Sequence, residues 1–296
     1  MIFVDRPDAR RVRGLHFFRA LIPYVMGTRA GSAVWLAREV DVEPALAWLK
    51  ERKAAEPGVE WSLFSLVLAA GVRTFAQKER LNDYVHRRAL YRRDRIVFSF
   101  IVKPNLSEAS AETAAKVSFE AGDDARAVAR KVQEAVAAAR AGRPGLAEPV
   151  MDVLHRVPGL KSLGIGVYRA LDALNLAPAE LLRADPLQAS AVFANLGSIG
   201  LEAPVHHLYE WGSASVFVSV GRIAPRWVPG PDGKPVRRRH LGLTVSVDER
   251  IADGVYFAHA AALFQRLLRR PELLDRPPEP VDEGSVPEGD AGDPSP

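Results

Sequence analysis

A run of ionisable residues follows a strand-like stretch near the carboxyl end of the chain. Residues 241–247 alternate between apolar and small or polar side chains, which is typical of a half-buried strand. The charged and turn-forming residues that follow are Asp248, Glu249, Arg250, Asp253 and Gly254. Ionisable groups at the end of a strand are costly to bury unless they pair. Two interpretations stay open: a turn held by an arginine–carboxylate pair, or a site that uses these groups for chemistry.

A second group of candidate residues lies between residues 195 and 207. Asn195, Gly197 and Ser198 belong to a turn that follows a predicted strand, and His206 and His207 are adjacent. Adjacent residues of an extended segment point to opposite sides, so one imidazole is expected to face a cavity. Imidazole is the usual general base near neutral pH. The alternative, one core histidine and one solvated histidine, stays open. No third ligand stands at a suitable spacing, so no metal site is predicted.

The elements that must position these residues alternate between strands and helices. Strands are predicted at 32–42, 96–102, 116–119, 189–194, 213–220 and 241–247, and helices at 44–52, 61–77, 123–140 and after Gly254. The sequence PGPDGK at 229–234 predicts a hairpin turn. Residues 142–188 read as an insertion of two short helices interrupted by prolines.

This succession, with the D-x-R-x-x-D-G turn and the N-L-G segment, resembles the catalytic domain of 2-oxoacid dehydrogenase acyltransferases, which is related to chloramphenicol acetyltransferase. The resemblance covers roughly residues 20–141 and 187–272, and its specific motifs lie in the second span. It implies an α/β fold with a mixed sheet and covering helices. It also implies a homotrimer with a ligand channel between subunits and a coenzyme A thioester as substrate.

The resemblance implies site residues, two of which are replaced here. Acyl transfer between thiols needs a base and a donor to the oxyanion. In the family a histidine in H-x-x-x-D-G is the base and a serine before N-L-G is the donor, but here these positions are Glu249 and Ala194. Burial that raised its pKa would let Glu249 act as a base.

The matched positions supply the remaining site prediction. Asp253 keeps the motif aspartate, and Asn195, Gly197, Gly254 and Arg250 are predicted to contact the coenzyme. Ser198, His206 and His207 are the candidate replacements for the missing donor and base.

Two hypotheses about function follow. The first is a coenzyme A dependent acyltransferase with a rearranged site, which moves an acyl group from a thioester to an unknown acceptor. The second is a catalytically inactive trimeric relative that acts as a binding or scaffold protein, as the replacements Glu249 and Ala194 suggest. A weaker third idea is contact with anionic membranes through the basic N-terminus and the insertion.

The composition of the chain excludes some kinds of site and disfavours some partners. The 296 residues contain no cysteine, which excludes disulfides, thiolate metal sites and a cysteine nucleophile. The absence of a signal-peptide pattern or a long apolar run favours the cytoplasm. The basic cluster at 87–95 lacks a nucleic-acid motif and is interpreted as a solvated turn, so nucleic-acid binding is disfavoured.

The domain prediction has three parts. Residues 1–22 form a basic amphipathic segment, residues 23–275 form the acyltransferase-like domain with its insertion, and residues 276–296 form a disordered acidic tail rich in proline and glycine. No lipoyl-bearing or peripheral-subunit-binding module is detectable, and no attached lipoyl group is expected.

Overall fold

A computed structural model describes residues 5–102, 113–141 and 159–277. The predictions for the acidic tail beyond residue 277 and for the first part of the insertion lie outside these described residues. The helices are α1 (Phe17–Val25), α2 (Glu43–Ala55), α3 (Leu63–Gln77), α4 (Ala125–Arg140), α5 (Leu160–Ala173), α6 (Ala179–Ala184) and α7 (Gly254–Arg269). The strands are β1 (Ala9–Arg11), β2 (Ala33–Asp41), β3 (Asp83–His86), β4 (Ala89–Arg93), β5 (Ile96–Val102), β6 (Thr113–Phe119), β7 (Ala191–Asn195), β8 (Val216–Pro229) and β9 (Pro235–Asp248).

The main sheet has six strands in the order β2-β9-β8-β7-β5-β6. β7 pairs in parallel with β5 and β8, and the remaining pairs are antiparallel. β1, β4 and β3 form a separate three-stranded sheet. The mixed sheet with covering helices confirms the predicted fold class, and the hairpin turn between β8 and β9 lies at the predicted place.

The helical side of the sheet holds the main core. Alternation along β9 places Leu241, Leu243 and Val247 on this side, and these residues are buried with the apolar faces of α3 and α7. α3 begins with a reciprocal cap between Ser62 and Ser65 and is buried along most of its length.

The opposite side of the sheet is covered by an irregular segment, residues 201–212, which we call the outer strap. Thr244 Oγ1 donates to the carbonyl of Ala203 at 2.9 Å, and Ser246 Oγ donates to the carbonyl of His206 at 2.5 Å. A small apolar cluster joins the strap to the sheet, with Leu208 from the strap and Phe217 from β8. The polar face of β9 is therefore used to hold a covering segment.

The structure corrects several predicted element boundaries and adds strands β1, β3 and β4, which the sequence did not predict. β8 continues nine residues past Val220, beyond the bulge between Val220 and Ile223, because it pairs with the equally long β9. At the N-terminus, Arg10 and Arg11 lie in β1 and α1 spans the predicted boundary after residue 22. The domain division of the chain stays a prediction.

The aromatic residues around Phe98 provide a test of the core packing. Phe98 is fully buried and its ring lies about 5 Å from three others, with centroid distances of 5.1, 5.4 and 4.8 Å to Phe75, Phe119 and Phe193. We expect Phe98→Ala to lower the free energy of unfolding by about 3–5 kcal/mol, because it removes a buried ring and leaves a cavity. Urea unfolding followed by circular dichroism measures this. The control is Ile101→Ala on the same strand, where the side chain is 53% exposed and the loss should stay below about 1 kcal/mol.

Candidate functional site

The charged turn after β9 contains a buried ion pair. Arg250 Nε and Nη2 donate to the two carboxylate oxygens of Asp248 at 2.8 and 2.7 Å, and both residues are buried. Arg29 Nε lies 3.9 Å from the same carboxylate. Arg250, which was predicted to contact the coenzyme, therefore has its charge matched by Asp248. The internal arginine–carboxylate pair expected as one of two interpretations is present.

Arg29 and Arg250 extend this pair into a network that fixes the neighbouring chain segments. Arg29 Nη1 donates to the carbonyls of Tyr209 and Gly212 at 2.8 and 3.1 Å, and Arg250 Nη1 donates to the carbonyl of Met26 at 3.3 Å. The network ties the end of β9 to the outer strap and to the chain after α1.

Glu249 lies in this turn but outside the network. Its side chain is exposed and makes no hydrogen bond or ion pair with the described residues, while its backbone N–H donates to the carbonyl of Ser32 at 2.9 Å. The burial that a working base at this position would need is absent. Its catalytic role stays a prediction.

Asp253 and Gly254 begin α7. Asp253 Oδ1 accepts from the backbone N–H of Tyr256 at 2.9 Å, which caps the helix. Its side chain is 64% exposed and lies 3.9 Å from Arg80. Gly254 is the first helical residue and is exposed. The motif aspartate thus organises the turn in this chain.

The turn after β7 brings three predicted residues together. Ser198 Oγ donates to the carbonyl of Asn195 at 2.7 Å, and a Cβ on Gly197 would lie 2.3 Å from the carbonyl oxygen of Gly221, so only glycine fits there. Asn195, Gly197 and Ser198 line a cleft of about 920 Å³, whose walls also include parts of α3, α4 and β8. This volume is sufficient for a coenzyme-sized ligand.

The family's serine position has no hydroxyl available. Ala194 pairs with Ser219 on β8, and Ser219 Oγ is buried with no hydrogen-bond partner among the described residues. The outer strap covers this part of β8, because a Cβ on Gly221 would lie 2.5 Å from the backbone nitrogen of Ala203. Sequence reasoning did not single out Ser219, since the strand pattern alone does not show which residue faces Ala194.

His206 and His207 lie on the outer strap. The expectation that they point to opposite sides is wrong: their rings stack with centroids 4.6 Å apart, because the strap is not a regular strand. The His206 ring also lies parallel to Phe217 at 3.9 Å, and its Nδ1 is 2.7 Å from the carbonyl oxygen of His207. A carbonyl oxygen only accepts, so in the neutral ring the proton is on Nδ1 and the lone pair is on Nε2.

Within one chain the two predicted motifs do not meet. The strand register places Asn195 beside Val220, whereas Val247 pairs with Val216. The four-residue interval along β8 corresponds to about 13 Å at about 3.3 Å per residue. Ser198 and Glu249 therefore lie at opposite ends of this part of the sheet, with His206 nearer the Glu249 end because its carbonyl bonds Ser246.

A buried charged cluster connects the small sheet to α5. Arg6 lies 2.8 Å from Asp172 and 3.3 Å from Asp8, and Arg93 lies 2.6 Å from Asp8. The interpretation of residues 87–95 as a solvated turn is therefore wrong for Arg93, which is only 6% exposed. No sequence pattern predicts this cluster, since its acids come from distant segments. In the described part of the chain, no three His, Asp or Glu side chains are grouped to hold a metal ion.

Comparisons with known proteins agree with this architecture. No family model matches the sequence, and the search of curated proteins gives no match. Among solved structures, a probable dihydrolipoamide acetyltransferase from Listeria monocytogenes is 15% identical with a TM-score of 0.59, covering 88% of this chain and 94% of that one. A truncated catalytic core of the 2-oxoacid dehydrogenase multienzyme complex from Thermoplasma acidophilum is 15% identical with a TM-score of 0.54, covering 88% and 99%. Chloramphenicol acetyltransferase is 11% identical with a TM-score of 0.53, covering 88% and 98%.

The fold expected from the resemblance is therefore confirmed. The chain has the fold that dihydrolipoamide acetyltransferases and chloramphenicol acetyltransferase share, at low sequence identity. At this level of identity the likeness concerns the fold, and the activity has to be argued from the chain's own residues.

Arg250 and Glu249 are adjacent in this turn, so substituting each in turn compares a buried, ion-paired residue with an exposed one. We expect Arg250→Ala to lower the free energy of unfolding by about 3–5 kcal/mol, because it leaves the buried Asp248 carboxylate without its main partner. Glu249→Ala should change the same quantity by less than about 0.5 kcal/mol. Urea unfolding of both variants provides the measurement. Equal losses would contradict the structural roles assigned here.

His86 should make stability depend on pH. Burial, and next the charge of Arg6, lower its pKa to about 4, below the ordinary 6.5. The unfolded chain then binds more protons between these values, so His86 favours the folded state above pH 6.5, and this contribution is lost as the pH falls towards 4. We expect a loss on the order of 2 kcal/mol through this residue.

Urea unfolding between about pH 7 and 4.5 measures this loss, with His86→Gln as the comparison. The variant should show a flatter profile than the unaltered protein over this range. Parallel profiles would contradict the assignment to His86.

Proposed function

We propose that this chain is an acyltransferase that takes an acyl group from a coenzyme A thioester, with His206 as the general base. The observation that supports this most is the fixed orientation of the His206 ring. Its contact with Phe217 and the hydrogen bond of Nδ1 to a carbonyl fix its orientation and leave Nε2 as a proton acceptor. The side chain is partly exposed, so an acceptor can approach it.

The reaction needs one proton acceptor and no redox step. Nε2 of His206 takes the proton from a thiol, hydroxyl or amine acceptor as that atom attacks the thioester carbonyl. The tetrahedral intermediate then collapses, the carbon–sulfur bond breaks, and the coenzyme thiolate takes up the proton. A positioned base of this kind contributes a factor of about 10²–10⁴.

The oxyanion donor that we propose is Ser198, whose hydroxyl would rotate from the carbonyl of Asn195 towards the intermediate. Its hydroxyl is exposed on the cleft wall beside Asn195 and Gly197, whereas Ala194 has none and Ser219 is covered. Asn195 and Gly197 would contact the coenzyme in the same cleft. The distance between this turn and the strap favours a homotrimer with the reacting groups supplied by neighbouring subunits, as the resemblance implies.

A second candidate function is a catalytically inactive binding or scaffold protein of the same fold. Two observations favour it: Ala194 lacks a hydroxyl, and the exposed Glu249 side chain has no partner in the described part of the chain. In that case the cleft would hold a thioester or a partner without turnover.

The proposals on location are less specific. No helix in the described ranges is long and apolar enough to cross a bilayer. The cytoplasmic location stays a prediction. Weak contact with anionic membranes also stays a prediction, and the exposed Phe17 and Phe18 of α1 support it.

Substitution of His206, with its neighbour His207 as the control, tests this function. We expect His206→Gln to reduce release of free thiol from acetyl-coenzyme A, in the presence of a small thiol acceptor, by about 10²–10⁴-fold. His207→Gln should stay within a few-fold of the unaltered protein, because His207 is exposed and its carbonyl remains in place. Sedimentation and circular dichroism check that both variants keep their assembly and fold.

The outcomes separate the two candidates. Equal loss in both histidine variants would contradict the role of His206. Calorimetric binding of acetyl-coenzyme A without any thiol release by the unaltered protein would favour the inactive binding protein. Absence of both binding and release would contradict the coenzyme as ligand.

A further inference from the structure

A second cavity shares no lining residue with the cleft beside Asn195. It has a volume of about 530 Å³ and is enclosed by the chain after α1, the turn between β3 and β4, the second half of α5 and the end of the outer strap. We call it the arginine pocket. The arginines that line it are Arg29, Arg87, Arg88, Arg169 and Arg250, and the acids are Asp172 and Glu210.

Some of these charges are already matched. Arg250 pairs with Asp248, and Asp172 pairs with Arg6 at 2.8 Å. Glu210 accepts from the backbone N–H groups of Arg29 and Ala30 at 3.3 and 2.7 Å. The carboxylates at the pocket are thus engaged by other groups.

Three arginines remain without a carboxylate partner among the described residues. Arg87 donates to the carbonyl of Ala173, Arg88 lies 5.4 Å from the ring of Tyr24, and Arg169 lies 5.8 Å from the ring of Trp211. Carbonyl and ring contacts hold the guanidinium groups in place without neutralising them. The pocket therefore has an excess of positive charge that suits an anionic ligand.

The backbone that carries two of these arginines is strained. Arg87 and Arg88 form the two-residue turn between β3 and β4 with φ angles of +48° and +63°. Such a turn favours asparagine and glycine, since other side chains are disfavoured at positive φ. Two arginines at these positions oppose local stability, which is typical of residues kept for a function.

One polar atom in the wall also has no partner. Gln188 is 2% exposed and lines the pocket, and its Oε1 makes no hydrogen bond with the described residues. Part of the wall is aromatic, with Tyr168 and Trp211 stacked at 5.5 Å and both donating to Asp185. A flat apolar group of a ligand can pack on such a wall.

We propose that the arginine pocket binds a phosphate-bearing small molecule of nucleotide size, with Arg87, Arg88 and Arg169 as the phosphate ligands. Planar guanidinium groups that lack carboxylate partners match phosphate oxygens in geometry and charge. His86 also borders the pocket and is neutral near pH 7, so it adds a hydrogen-bonding group without charge. This site does not depend on His206 acting as a base.

The strained turn gives a test that separates binding from folding. The variant Arg87→Asn/Arg88→Gly places the favoured turn residues at the positive φ angles and removes two phosphate ligands. We expect its melting temperature to stay equal or rise. We expect its affinity for pyrophosphate and for adenosine 3′,5′-diphosphate, measured by calorimetry on the full chain, to fall at least tenfold.

The matched control removes two arginines elsewhere. Arg237 and Arg238 lie on the β8–β9 hairpin, outside the pocket. The variant Arg237→Gln/Arg238→Gln should therefore keep the affinities for pyrophosphate and adenosine 3′,5′-diphosphate within about twofold. Coenzyme A is titrated in parallel with and without pyrophosphate. Competition would identify the acyl donor as the source of the phosphate, and independent binding would identify a separate phosphate ligand; both agree with the proposal.

Three results would overturn it. The first is no saturable binding of either phosphate probe at millimolar concentration. The second is binding that survives unchanged in Arg87→Asn/Arg88→Gly. The third is an equal loss in the control, which would indicate unspecific attraction to a basic surface. None of these results bears on thiol release by His206.

Discussion

The buried carboxylate of Asp248 is the group on which the arrangement of this molecule depends. An ionised carboxylate with no solvent exposure is stable only with charged partners and hydrogen bonds. Arg250 supplies a bidentate pair, and Arg29 adds a second positive charge at 3.9 Å. Because these arginines also hold carbonyls of the outer strap and of Met26, one ion pair fixes two chain segments around the end of β9.

This constraint bears on Glu249, the position of the family's base, whose catalytic role stays a prediction. The residues on either side of Glu249 are occupied in the ion pair, and its own side chain is left in solvent. The same network fixes the outer strap, which carries His206 and covers Ser219. A base on the strap and a donor on the Asn195 turn would therefore replace the base and donor that the family places at Glu249 and Ala194.

The two cavities differ in the residues that form them. The cleft beside Asn195 is built from the elements that the resemblance covers, whereas the arginine pocket uses α5 from the insertion and the strained turn at Arg87. The helix α5, in the segment predicted to be an insertion, supplies part of the wall of the arginine pocket. This helix is anchored through Asp172 to Arg6, which links it to the small sheet.

The sequence by itself determined the strands of the main sheet and most helices, the mixed α/β fold through its motifs, and the turn residues. It did not reveal the small sheet of β1, β3 and β4. Residue periodicity and capping groups such as Ser62, Asp124 and Asp253 are local properties, so the sequence reveals them directly. The glycine at 197 was also visible, although its reason, the close approach of Gly221, was not.

Tertiary structure decided the rest because the deciding contacts join residues that are far apart in the chain. Strand order and register placed Ser198 and Glu249 at opposite ends of the sheet. Packing on Phe217 made His206 and His207 stack instead of diverging. Arg93 was expected at the surface but is buried, because it pairs with Asp8, which is 85 residues away in the chain. Local patterns specify which face a residue takes, and only long-range packing specifies what that face meets.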